Sequence, residues 1–406
     1  MIFKYIINHL KFPQKSSVDF SYLFSIKKNR HQLLSLLQKH PTPLFISDTT
    51  IIKNRFKQLK TLLNKHWSKN HAIAYSFKTN YQAIKSLKKL GAWAETVSEF
   101  ELSKAQKLGF PNKEVIFNGP YKPNTALKTA INNKVLIHLD NQTELNRLSS
   151  LVNKKKTNVG LRLNPNINDN HFGFSLKSPQ TKKAINQIVK HQYLNLISLH
   201  CHLGSNISKP SNYLKAAHKL SKLANQLYKN YNLKLKILDL GGGFPSHGPK
   251  PFHRLSWKQK SIDQFIKPIC QILKKQISYR PLPQLIFEPG RYLVDDSTIF
   301  ICQIIAQKPS LYKQTLITNG AITMLPLIYY QPPIIKLYSP NLNLIASKTK
   351  STTVYGATCK QDDCLYTGKL PHANINDYLV FYCSGAYNLN LAPEFIFSKP
   401  KVLYIN

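Results

Sequence analysis

The strongest constraint in this sequence is a rhythm. Across residues 71–291, short apolar runs end in polar or glycine-rich turns, and an amphipathic stretch at helical spacing follows each one. The runs are 72–77, 92–97, 114–117, 135–139, 159–163, 196–200, 235–240 and 285–287. Helical patterns between them include 99–108, 144–152, 177–191, 212–231 and 257–275. Strand-then-helix alternation implies a parallel sheet, and eight such units predict an α/β fold built on a closed (β/α)8 (TIM) barrel. No internal sequence repeat marks the units. A barrel of this kind places its chemistry at the C-terminal ends of the strands. The unusual residues fall there: Lys78, Glu95, Asn118, Asp140, Arg162, His200, His202, Gly241 to Gly243, Glu288 and Arg291.

The flanks read differently. Residues 43–47 form a short strand, and Asp48-Thr-Thr opens a helix to about residue 64. Beyond Arg291 helix signals fade, and strand-like segments punctuated by proline follow at 298–306, 316–318, 335–338, 352–355, 377–381 and 401–405. These predict a C-terminal β-domain, which the strand near Leu44 joins. The expected division is an N-terminal segment over 1–46, partly joined to the β-domain, a barrel over 47–296 and a β-domain over 297–406.

Composition excludes several classes. The chain has 406 residues, of which 42% are hydrophobic, enough for a large core. No apolar run reaches membrane-spanning length, and the start from Met1 to Phe12 is too short and broken for a signal peptide, so an N-terminal helix is expected there. The net charge is +39, from 57 basic and 18 acidic side chains. A charge this large fits an acidic partner. The lysines are spread along the whole length, with no basic tail, arginine-rich block or zinc-finger spacing, which argues against specific nucleic-acid binding. Six scattered cysteines without a CxxC pattern suggest reduced thiols and a cytoplasmic protein, and no metal site is expected.

Four stretches carry chemistry. Lys78 follows the apolar run His71-Ala-Ile-Ala-Tyr-Ser-Phe77; an amine at the mouth of a buried strand is partly desolvated, which favours the free base that attacks a carbonyl. Gly241-Gly-Gly243 follows a strand directly and lets backbone N–H groups crowd around an anion, with phosphate the natural guest. Glu288-Pro-Gly-Arg291 holds an acid and an arginine three residues apart on a rigid bend, so that Arg291 can grip a phosphate and Glu288 can hold a proton on a heterocyclic nitrogen. His200-Cys-His202 places two imidazoles at alternate strand positions, expected to face opposite sides, one of them able to stack on a planar ring, and Ser205 adds a hydroxyl for phosphate. Together they describe a site for pyridoxal 5′-phosphate, whose ring absorbs the electrons of a carbanion.

On these motifs, joined by Gly356-Ala-Thr-Cys359-Lys-Gln-Asp-Asp363 and Ser384-Gly-Ala-Tyr387, the sequence resembles the fold-type III pyridoxal-phosphate decarboxylases, the group that contains diaminopimelate and ornithine decarboxylases. The resemblance runs from about Pro43 to the C-terminus. It implies a decarboxylase of the alanine racemase/decarboxylase architecture in which Lys78 is the Schiff-base lysine and His202 stacks on the cofactor. Ser205, Gly241, Gly242, Gly243 and Arg291 hold its phosphate, with a contribution from Tyr387. Glu288 pairs with the pyridine nitrogen, and Glu95 stands where the family usually has aspartate. Cys359 matches the thiol that returns a proton after CO2 leaves, reaching in from the partner subunit of a homodimer.

The substrate half departs from that pattern. The residue after the cysteine is acidic in both well-known members, where it reads the substrate's distal ammonium; here it is Lys360. The segment from Thr318 to Tyr329 matches one that carries an arginine for a distal carboxylate in diaminopimelate enzymes, and Pro326 stands in that place. Lys360, Asp363 and Tyr329 are therefore the expected specificity residues. They point to an amino acid, or an amino-acid conjugate, whose distal end is not a simple ammonium, either free or presented on an acidic carrier protein. Two alternatives remain at this level. One is racemisation or other chemistry of the same cofactor, which Cys359 and the Glu288–pyridinium pairing disfavour. The other is a catalytically silent relative, which retention of Lys78, Glu288 and Cys359 disfavours.

Overall fold

The computed structural model describes residues 23–152, 154, 156–167, 170–248, 260–308, 313–329 and 331–406. The helix expected near the N-terminus lies outside the described residues. The described residues divide into two compact units, one within 53–245 and 260–291, the other within 23–52, 246–248 and 292–406.

The first unit is a closed barrel. Its strands are β2 (His71–Ser76), β3 (Trp93–Thr96), β4 (Val115–Phe117), β5 (Leu136–Leu139), β6 (Thr157–Asn164), β8 (Leu194–His200), β9 (Ile237–Asp239) and β10 (Gln284–Phe287). They pair in parallel in the order β5-β4-β3-β2-β10-β9-β8-β6, and β5 pairs with β6 to close the ring. A two-residue strand β7 (Phe174–Ser175) adds to β6. Helices follow at Glu99–Lys107, Asn124–Asn132, Gln142–Leu151, Pro179–Lys190, Pro210–Tyr231 and Asp263–Gln276. Their starts are written locally. Ser98, Asn141 and Ser178 each accept a backbone N–H of the first turn through a side-chain oxygen, and the helix from Pro210 has proline in its first turn, where no N–H is needed.

Side-chain alternation along these strands places the site. Ala72, Ala74, Ile116, Leu136, Ile197 and Ile286 form one apolar cluster, with Trp93 and Ile237 packed against it. A residue two positions further along a strand points to the same side. From Ala74, Trp93, Ile116, Leu136, Ile237 and Ile286 that step reaches Ser76, Glu95, Asn118, His138, Asp239 and Glu288. A greasy layer therefore supports a polar one at the C-terminal ends of the strands.

The second unit is a sheet. Strand β1 (Leu44–Asp48) pairs antiparallel with β11 (Thr298–Lys308) and parallel with β17 (Lys401–Ile405). The remaining strands are β12 (Gln314–Thr318), β13 (Ile334–Tyr338), β14 (Thr349–Tyr355), β15 (Cys364–Pro371) and β16 (Tyr378–Tyr382), in the order β13-β16-β11-β12-β14-β15. Its core includes Phe45, Phe300, Cys302, Leu316, Val354 and Phe381. Strand β15, absent from the sequence reading, carries Thr367-Gly-Lys369 in a row between apolar residues, a weak signal in a half-exposed strand.

Candidate active site

Strand register assembles the centre of the barrel site. Ser76 and Glu95 are lateral neighbours on β2 and β3. Lys78 lies on a single tight turn beyond β2, so its chain folds back over that pair: Nζ donates to Ser76 Oγ at 2.8 Å and to Glu95 Oε2 at 2.9 Å. Glu95 is buried, whereas 39% of the Lys78 side chain is exposed, so the amine opens toward solvent while its counter-charge stays fixed beneath it.

Asn118, one residue beyond β4, ties this pair to a second carboxylate. Its Nδ2 donates to Glu95 Oε1 at 3.1 Å and to Glu288 Oε1 at 2.7 Å. Glu288 follows β10 and is 4% exposed. Its other oxygen lies 3.3 Å from Nε2 of His200, the last residue of β8. Burial, and next the Arg162 cation, hold His200 well below the ordinary histidine range, so the ring is neutral and donates a hydrogen bond from Nε2–H to Glu288. Its buried Nδ1 has no partner among the described residues. Asp239, the last residue of β9, accepts the Gly241 N–H at 2.8 Å through Oδ1, and burial and then the Glu288 charge push its carboxyl well above the usual range. It keeps its proton and faces Glu288 as a neutral acid.

His138, His200, Asp239 and Glu288 bring ligand-type atoms within 4.8 Å of one another. The arrangement is a hydrogen-bonded network. Both His138 nitrogens are engaged, with Asn118 at 2.7 Å and Ser198 at 2.9 Å, and the His138 and His200 rings stack 4.8 Å apart at 9°, so their in-plane lone pairs do not aim at one centre.

The expectation that His200 and His202 face opposite sides of one strand is corrected. Positions two apart on a strand share a side, and β8 in any case ends at His200, so alternation does not reach His202. His202 lies in the following loop, and its Nδ1 accepts the Gly242 N–H at 3.2 Å. Burial, and then the Lys78 cation, lower its pKa to about 3, so it is a neutral ring.

The glycine turn folds tightly against two loops. A Cβ at Gly242 would lie 2.1 Å from the Glu288 carbonyl oxygen, and one at Gly243, where φ is +90°, 2.1 Å from that of Gly204. Arg291 is 6% exposed and donates from Nε to Ser205 Oγ at 3.5 Å. The structure thus brings Lys78, Glu95, His202, Ser205, Gly241, Gly242, Gly243, Glu288 and Arg291 to the strand ends and following turns at one end of the barrel. Arg162 and Asp140, also at strand ends, pair with each other at 3.2 Å.

The remaining expected residues belong to the sheet unit. Cys359 is exposed in the loop between β14 and β15. Beside it, Lys360 Nζ lies 3.2 Å from Asp362 Oδ1, and that bond, followed by Tyr329, raises the pKa of the lysine. Tyr329 is half-buried, and Tyr387 stands at φ +67° before a short helix, Asn388–Leu391. The expectation that Asp363 reads substrate is corrected. Its carboxylate is 1% exposed and accepts from Ile322 N at 2.7 Å, Thr358 N at 2.9 Å and Thr358 Oγ1 at 2.5 Å. It clamps the cysteine loop from within, because a buried carboxylate must spend its lone pairs on donors.

Sequence reasoning missed His138 and Asp239 as site residues, and it placed Asn118 at a strand end without a role. Each is a polar residue within or just past an apolar strand, two positions beyond an apolar neighbour on the same side, and that was the available signal.

Three observations suit pyridoxal 5′-phosphate. The amine is accessible above a buried counter-ion. A turn closed to any Cβ lies beside a hydroxyl and a guanidinium, a donor set for phosphate. A buried carboxylate is held in place by neutral donors, as a protonated ring nitrogen requires.

Comparison with known proteins agrees. The family model described as the pyridoxal-binding domain of pyridoxal-dependent decarboxylases matches residues 49–295, and that of their C-terminal sheet domain matches residues 291–385. The diaminopimelate decarboxylase of Bacillus methanolicus is 28% identical over 398 residues, spanning 92% of this chain and 90% of that protein. The Bacillus subtilis enzyme of the same name is 27% identical over 399 residues, spanning 92% and 88%. The crystal structure of M. jannaschii diaminopimelate decarboxylase with L-lysine shares the fold, with a TM-score of 0.81 at 22% identity over 92% of this chain and 89% of that one. Lysine/ornithine decarboxylase of Vibrio vulnificus, solved with cadaverine, gives a TM-score of 0.80 at 21% identity over 95% and 99%. Among the described residues no helix is long and apolar enough to cross a membrane. Both halves of the chain therefore belong to the pyridoxal-dependent decarboxylases, and the protein is a carboxy-lyase that uses pyridoxal 5′-phosphate on an amino acid.

Proposed function

We propose that this decarboxylase acts on an amino acid, or an amino-acid conjugate, whose far end is neutral or anionic. When bound, the cofactor supplies a sink for the electron pair left as the bond from Cα to the carboxylate breaks and CO2 departs. Lys78 Nζ is the group that would hold the cofactor covalently, with Glu95 as its fixed counter-charge. Glu288 would keep the ring nitrogen protonated, and the neutral ring of His202 would lie against the cofactor face. Ser205, the glycine turn and Arg291 would hold the phosphate, with Tyr387 contributing. Cys359 Sγ–H would return a proton to Cα, and its exposure on a short loop suits delivery to the barrel of a second copy. Exposed apolar side chains at Leu391, Phe395, Ile396 and Phe397 support a homodimer.

The single observation that carries the substrate reading is Lys360. It stands beside Cys359, where the resemblance places an acid, and a cation there repels a distal ammonium. Its salt bridge to Asp362 keeps the charge on the loop. The net charge of +39 favours an anionic substrate or an acidic carrier. The test is CO2 release across diaminopimelate, lysine, ornithine and amino acids conjugated through their far end to a carboxylate. The reading predicts the highest kcat/KM for a conjugate; efficient turnover of free lysine or ornithine contradicts it.

A further inference from the structure

His138 hydrogen-bonds none of the groups assigned to cofactor or substrate directly; it reaches them through Asn118 and by stacking on His200. His138 lies on β5 and is wholly buried. Register explains how it got there. His138, Gly160 and Ser198 are lateral neighbours on three consecutive strands, β5, β6 and β8. The middle position has no side chain, so the imidazole crosses β6 and meets Ser198 Oγ at 2.9 Å. A Cβ on Gly160 would stand 2.3 Å from the ring and 2.8 Å from the Ser198 Cβ. The glycine is the slot through which the ring passes.

The direction of every hydrogen bond in this chain follows from its far end. Glu95 and Glu288 are acceptors, so the Asn118 atom between them is the NH2 group. The Asn118 oxygen must then point at His138 Nδ1, 2.7 Å away, so that nitrogen carries the proton. His138 Nε2 is left as an acceptor for the Ser198 hydroxyl. Without the Nδ1 donor, the two carboxylates still call for the NH2 face, but the Asn118 oxygen is left buried with no donor and the amide loses its anchor on that side. A flip would turn its oxygen toward two carboxylates.

We propose that His138 is a positioning residue: its Nδ1–H fixes the Asn118 amide, and that amide holds Glu288 where the ring nitrogen of the cofactor needs it. The inference rests on the assignment of Glu288 to that nitrogen. It differs from a packing role because it depends on one nitrogen of the ring. An asparagine at 138 can present an NH where Nδ1 was. A glutamine presents its amide where Nε2 was and gives Asn118 nothing.

The experiment titrates apoprotein with pyridoxal 5′-phosphate, following the absorbance of the lysine-bound cofactor, for the parent and for His138→Asn, His138→Gln, His138→Leu and Glu288→Gln. Cofactor affinity should fall about tenfold or more in His138→Gln and His138→Leu, the scale for losing a group that orients a ligating residue, and stay within about threefold of the parent in His138→Asn. Equal loss in His138→Asn and His138→Leu, or no loss in His138→Leu, overturns the proposal. If Glu288→Gln binds like the parent, the assignment of Glu288 itself fails; if it weakens while His138→Leu does not, only the role of His138 fails. Should the leucine variant not fold, nitrogen NMR of histidine-labelled parent holoenzyme decides. The signal missing from His138→Asn must be that of the neutral Nδ1–H tautomer, and the Nε2–H tautomer overturns the inference.

Discussion

Asn118 donates to Glu288 at 2.7 Å, and the same NH2 group reaches Glu95 at 3.1 Å. One neutral amide thus separates two buried carboxylates that would otherwise face each other. Replacing it takes one donor from each: Glu95 keeps Lys78 and Glu288 keeps His200, but the two Oε1 atoms that faced the amide lose theirs. Asn118→Leu is expected to destabilise the protein by about 1–3 kcal/mol, the cost of orphaned buried acceptors, and to weaken cofactor binding. Urea unfolding of parent and variant, with and without pyridoxal 5′-phosphate, measures both effects.

A second buried pair supports the network from below. Lys122 is wholly buried and donates to Glu144 Oε1 at 2.7 Å, to the Gly119 carbonyl at 2.9 Å and to the carbonyl of His138 at 2.9 Å. Removing one partner strands the other in a dry interior. Lys122→Met should cost about 3–5 kcal/mol. The double variant Lys122→Met with Glu144→Gln should recover part of that loss, which denaturant midpoints will show.

Acid should unfold the protein from an unusually high pH. Burial holds His138, His200 and His202 below their ordinary values, His202 at about 3. Each is neutral in the native state and protonates on unfolding, so stability is lost as pH falls below about 6.5, by about 1.4 kcal/mol per pH unit for each histidine. Asp239 works the other way. Its raised pKa means the native state keeps a proton that the unfolded chain has lost above pH ~4, so its burial costs stability as pH rises through that range. Asp239→Asn should therefore be more stable than the parent near pH 7, and the gain should vanish by pH ~4. Thermal midpoints between pH 4 and 7.5 provide the comparison.

Much of this was legible in the sequence, for a physical reason. A parallel barrel writes its strands as apolar runs and its site as whatever interrupts them at their ends. The eight runs coincide with the eight barrel strands to within two residues at every end, and Lys78, Glu288 and the glycine turn stood out by position. What the residues alone did not reveal was lateral register. Nothing near His138 in the chain says that a glycine on β6 opens a path to Ser198. Nor does the spacing of Asp363 show its carboxylate turned inward onto Ile322 and Thr358; only the closed loop does.

Specificity provides a gain-of-function test. Lys360 lies next to Cys359, and its charge is answered locally by Asp362. Lys360→Glu should raise kcat/KM for diaminopimelate or lysine while lowering it for anionic conjugates, since it replaces a charge that repels a distal ammonium with one that attracts it. Steady-state assays on both substrate types will show whether the preference crosses over.

The central claim is that Lys78 carries the cofactor. Borohydride reduction of the holoprotein followed by peptide mass spectrometry should place a single pyridoxyl adduct on Lys78, and Lys78→Ala should lose the adduct, the absorbance and CO2 release together. An adduct on any of the other lysines with Lys78 unmodified, or decarboxylation that survives Lys78→Ala, would contradict the account.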